Sequence, residues 1–136
     1  MKIPSRIPYF KAAHGATALL AFVWMGLEGD LRCDLLLALA LVLLALGHLA
    51  TRYLGGRTMT AGRFAALAAA AGIAGGFGAV LLMLFLMILK TGIHAHGPEY
   101  TAQEITWVWA QLPIWGGAGG LVGLGLALLV IAAGRK

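Results

Sequence analysis

The run from about Ala61 to Leu89 constrains this chain more than any other stretch. It is roughly 29 residues long, and beyond Arg63 it holds no charged side chain. A helix of that length outlasts the ~30 Å hydrocarbon core of a bilayer, so it must tilt or protrude. The remainder of the sequence is of the same kind. Of 136 residues, 61% are hydrophobic and only 11% charged, with a mean hydropathy of +0.91. Soluble domains average about 45–50% apolar and about 25% charged, and a domain of this size could not hide so much apolar surface from water. The expected fold class is an all-α integral membrane protein, one domain over residues 1–136.

Three more apolar segments read as spans, making four transmembrane helices. The first runs from about Ala12 to Leu27 and the second from about Asp34 to Thr51. Both are short of the ~20 residues a span needs, and each can borrow a turn from its flanks, where Trp24 and Tyr53 suit an interface. Their connector, EGDLRCD, allows only a tight antiparallel hairpin. Gly92 is placed as the residue just past the third helix.

The fourth helix opens at Thr101-x-x-Glu104, a capping box in which each side chain satisfies a free backbone N–H. Tyr100 and Ile105 flank it as a hydrophobic staple, and Ile105, Val108, Trp109 and Leu112 fall on one face. From Ala102 to Ala133 the helix would measure about 48 Å. A kink at Pro113 is expected to separate a protruding start from the true span, Ile114–Ala133.

Residues 1–11, MKIPSRIPYFK, read as a cationic arm on the membrane surface, with Pro4 and Pro8 opposing a regular helix. No small-x-small cleavage pattern follows the first apolar run, so the arm is expected to be retained and not removed as a signal peptide. Cys33 is the only cysteine, which excludes an intrachain disulfide.

Charge gives the orientation. The arm, the 51–63 loop and the C-terminus hold eight basic residues: Lys2, Arg6, Lys11, Arg52, Arg57, Arg63, Arg135 and Lys136. The other two loops hold Arg32 and Lys90 and all five acids, Glu28, Asp30, Asp34, Glu99 and Glu104. The positive-inside rule then puts both termini in the cytoplasm and the 90–113 loop outside, as in a bacterial inner-membrane protein. The same rule accounts for the net charge of +5 without a nucleic-acid partner.

Several chemistries lack their residues. The spans show no ionisable group at mid-membrane depth for ion or proton coupling. The only serine is Ser5, and no nucleophile stands beside a base. The chain is therefore expected not to be an enzyme. Four histidines remain. His14 and His48 lie at matching depth in one leaflet, each beside a glycine (Gly15, Gly47) that leaves room for a flat group, and such a pair could ligate a haem or a chlorophyll-type pigment. The alternatives are hydrogen bonds within the bundle, headgroup contact, or a proton relay.

His94-x-His96, with Glu99 as a third ligand, has donors that copper or zinc accepts; the same pair could instead dock on a partner or touch a quinone. Trp107, Trp109 and Trp115 suit an aromatic belt or a protein contact.

Spans three and four carry Gly72-x-x-x-Gly76, Gly116-x-x-x-Gly120 and Gly119-x-x-x-Gly123, a pattern that lets membrane helices approach closely. The function expected from all this is a small non-catalytic accessory subunit of a larger membrane complex, respiratory or photosynthetic. Its partners would be other integral subunits and the bilayer, and His94, His96, Tyr100, Trp107, Trp109 and Trp115 would make the contact. The competing expectations are a tetrapyrrole carrier using His14 and His48, and a homo-oligomeric transporter or metal-binding protein using His94, His96 and Glu99.

Overall fold

The computed structural model describes residues 2–94 and 97–134. Among these the chain is all-helical, 80% helix with no strands. The helices are α1 (Phe10–Gly26), α2 (Leu31–Leu54), α3 (Ala61–Ile93), α4 (Ala102–Ala110) and α5 (Leu112–Ala133). Three runs are long and apolar enough to cross a membrane: α2, α3, and α4 joined to α5 as Ala102–Ala133, as in a multi-pass membrane protein in contact with lipid. α1 has 17 residues, about 25 Å of helix, less than the ~30 Å hydrocarbon.

Local chemistry sets most boundaries. Asp30, four residues earlier than the expected start of span two, caps α2 by accepting the Arg32 N–H at 2.8 Å. Asp34 is thereby moved one turn inside the helix. Thr60 caps α3. That helix continues through Gly92 and ends at His94, whose N–H reaches Lys90 O at 3.0 Å. Gly92 is thus helical and not the terminating residue, because side chains on either side of it, Lys90 and His94, are anchored to other parts of the fold.

The Thr101–Glu104 capping box forms in full, with Thr101 N–H to Glu104 Oε2 at 2.7 Å and Glu104 N–H to Thr101 Oγ1 at 3.2 Å. Pro113 has no N–H to continue the ladder, and the run breaks at Gln111, two residues before it, with Pro113 in the first turn of α5.

α3 is the central element, packing on α5, α2 and α4, while α1 packs chiefly on α2. The α3–α5 seam is built from glycine. A methyl group added at Gly72 would strike the carbonyl of Gly119, one at Gly76 the carbonyl of Trp115, and one at Gly123 the carbonyl of Ala68. The GxxxG pattern therefore brings two helices of this chain together, their backbones in direct contact. α2 closes the other side of α3, with Leu46 and Val42 lying over Gly75 and Gly78.

The buried core, Trp24, Leu37, Val80, Met83, Leu86, Met87, Tyr100 and Val108, gathers toward the end that carries the acids. At the opposite, basic end the arm is stitched to the α2–α3 turn: Ile3 N–H reaches Arg57 O at 3.0 Å and Gly56 N–H reaches Ile3 O at 2.9 Å.

Candidate functional site

At the acidic end the core encloses a set of polar side chains. Asp34 is completely buried and Lys90 is 1% exposed. The Trp24 indole N–H donates to Asp34 Oδ1 at 2.6 Å, and the Tyr100 hydroxyl donates to Oδ2 at 2.5 Å. Lys90 Nζ donates to the Trp24 carbonyl at 2.8 Å and lies 4.6 Å from the Trp24 ring centroid.

Asp34 and Lys90 form no direct ion pair; Trp24 stands between them and engages both. A buried carboxylate or ammonium alone would be very costly, and here each is hydrogen-bonded and offset by the opposite charge across one indole. Burial first, and then the hydrogen bond to Asp34, hold the Tyr100 hydroxyl well above its ordinary pKa. Tyr100 is thus a fixed donor and not a titrating group near neutral pH.

A second clamp lies beside the first. Glu99 Oε1 meets His94 Nδ1 at 2.7 Å, and Glu99 Oε2 accepts the Gly29 N–H at 2.8 Å. Gly29 is needed here, since a Cβ would sit 2.9 Å from Glu99 Oε2 and 3.1 Å from the Tyr100 ring. Five separate pieces of chain are joined: the α1 end, the α1–α2 turn, the first turn of α2, the α3 end and the 97–101 loop. Among the described residues no buried side-chain polar atom lacks a partner. The arrangement closes and stiffens this end of the bundle, and its oxygen and nitrogen atoms point at one another.

Beside the cluster an apolar cleft of about 280 Å³ opens between α2, α3, α4 and α5, lined by residues that include Leu35, Met83, Trp107 and Trp115, with Arg32 and Gln111 as its polar members. Trp109 lies off this cleft and is 58% exposed. Of the residues expected on one face of α4, Val108 is buried whereas Ile105 and Trp109 are exposed, because α4 turns Val108 toward α3. Tyr100, expected to staple Ile105, is drawn instead to Asp34.

The remaining candidates separate. His94 and Glu99 are adjacent and hydrogen-bonded, and His96 lies outside the described residues. Among the described residues no group of three or more His, Cys, Asp or Glu side chains is placed to hold a metal. His14 and His48 are both exposed. His14 Nδ1 lies 2.8 Å from Phe10 O, and the Phe10 ring meets its imidazole edge-on at 4.5 Å. The space expected beside Gly47 is filled by Phe10 and Ile7, although that beside Gly15 is open. His48 lines a cavity of about 660 Å³ under the arm.

Sequence reasoning missed the central cluster. Trp24 reads as an interface residue, and Asp34 and Lys90 read as loop charges. One signal was present: Asp30 and Asp34 compete for the same helix start, and only one can be the cap, which leaves the other a turn inside an apolar helix.

No family model, no curated protein and no solved structure matches the chain.

Proposed function

We propose that this chain is a small non-catalytic accessory subunit of a larger membrane assembly. It crosses the membrane four times, with both termini cytoplasmic and the 90–113 segment on the outer face. The observation that carries the reading is the outward face of α4. Ile105 and Trp109 are 43% and 58% exposed on a helix whose start is locked by a complete capping box and whose preceding loop is tied down through Tyr100 and Glu99. Large aromatic side chains held rigid on a fixed scaffold are what protein interfaces favour. The polar groups behind them are satisfied within the chain, which favours support of a surface over turnover of a substrate.

Orientation rests on the basic end and the positive-inside rule. A respiratory or photosynthetic parent complex remains the natural setting for a small subunit of this composition. A photoreactive side chain introduced at Trp109 tests the reading. Crosslinking in native membranes is expected to join this chain to a different polypeptide. Adducts with lipid or with a second copy alone would overturn it.

A further inference from the structure

The basic end holds two arginine side chains, those of Arg57 and Arg63, that no contact described so far employs. The turn between α2 and α3 is held against the arm through Ile3, and Gly56, at φ 78°, gives it the reversal it needs. Arg57 and Arg63 then stand beside a groove of about 640 Å³ whose wall includes Thr58, Ala66, Leu67 and Ala70. Arg63, Ala66, Leu67 and Ala70 follow helical spacing, so they form one stripe of α3 with the guanidinium at its end.

Leu67 is 44% exposed and the two alanines beside it are also exposed, leaving a shallow apolar trough. All five carboxylates lie at the opposite end of the bundle. Among the described residues, neither arginine is paired with a carboxylate.

From this we infer that Arg57 and Arg63 form a binding site for an anionic phospholipid, the phosphate held by the guanidinium groups and an acyl chain lying along Ala66, Leu67 and Ala70. The ligand chemistry follows from the two halves of the groove. Arginine forks match phosphate oxygens in paired hydrogen bonds. The trough continues directly from them into the apolar length of α3, which suits a hydrocarbon chain and gives nothing to a free anion.

Depth agrees as well. About 40 Å of helix separates Arg63 from Lys90, so a centred α3 puts Arg63 outside the ~30 Å hydrocarbon, at the level of headgroups. Basic pockets on the cytoplasmic side are where anionic headgroups are most abundant. The site holds whether or not the chain has a protein partner.

The test uses the full chain, delipidated in a neutral detergent and titrated with dioleoyl phosphatidylglycerol or dioleoyl phosphatidylcholine, with bound lipid counted by native mass spectrometry. The glycerol lipid is expected to bind more tightly. R57Q and R63Q should each weaken it about fivefold and R57Q/R63Q about 30-fold. R32Q, at the other end, should leave it unchanged, and binding of the choline lipid, whose own ammonium offsets the same phosphate charge, should weaken less in every arginine variant. Equal retention of the two lipids, or an undiminished preference in R57Q/R63Q, would overturn the site. Displacement of the lipid by inorganic phosphate would overturn it too, by making this an ion site. Both arginines are exposed, so helicity should persist, and each single variant is read by itself should the double variant lose it.

Discussion

Asp34 accepts one hydrogen bond on each carboxylate oxygen, from Trp24 and from Tyr100, and its charge is offset by Lys90 across the same indole. Truncating one member strands the rest. Asp34→Ala is expected to cost about 3–5 kcal/mol, since it leaves two donors and a buried ammonium without compensation. Lys90→Met alone should also destabilise. The double variant should cost less than the sum, with a coupling of about 0.5–3 kcal/mol in a double-mutant cycle of unfolding free energies. Additive effects would mean that the two charges do not sense each other through Trp24.

Tyr100 adds a pH signature. Its folded pKa is raised, so its contribution is fully present below the ordinary tyrosine value, ~10, and is lost as pH rises beyond it. The difference in melting temperature between the wild type and Tyr100→Phe should be constant from pH 7 to about 9 and shrink at higher pH. A difference that grows above pH 10 would contradict the assignment.

Among the elements, the α3–α5 seam is the strictest. Gly76→Ala drives a methyl into the Trp115 carbonyl and should destabilise by about 1–3 kcal/mol through forced separation of the helices. Gly117→Ala, which meets nothing within 4 Å, should be neutral or stabilising by up to about 1 kcal/mol. Reversible unfolding in mixed micelles would measure both, and equal effects would refute the seam.

This level of structure was largely legible in sequence. The Thr101–Glu104 box, a break near Pro113 and the close-packing glycines each follow from a local rule. What could not be read was the direction in which side chains turn. Asp34, Lys90 and Tyr100 are brought together from three elements, 66 residues apart at the widest hydrogen bond. Asp34 had one local sign, a second acid at a helix start that Asp30 already caps; for Lys90 and Tyr100 nothing local distinguishes a loop position from one that the fold then encloses.

At the scale of the molecule, a closed acidic end stands opposite a basic end where, among the described residues, Arg57 and Arg63 meet no carboxylate. In a Cys33→Ser background, Ser5→Cys should react with an impermeant maleimide only from the cytoplasmic side, and Gln103→Cys only from the outside. The reverse pattern would invert the topology. The overall charge segregation was plain in the sequence; the stitching of the arm to the α2–α3 turn was not, since it rests on backbone hydrogen bonds that carry no side-chain signature.

On the proposed function, the stiffened acidic end presents α4 to another protein. This is tested most directly by the mass and composition of the particle that mild detergent releases from native membranes. The expected particle is several times the 14.2 kDa of this chain, contains other polypeptides and is broken up by Ile105→Ser/Trp109→Ser. A particle made of one or a few copies of this chain alone would contradict it.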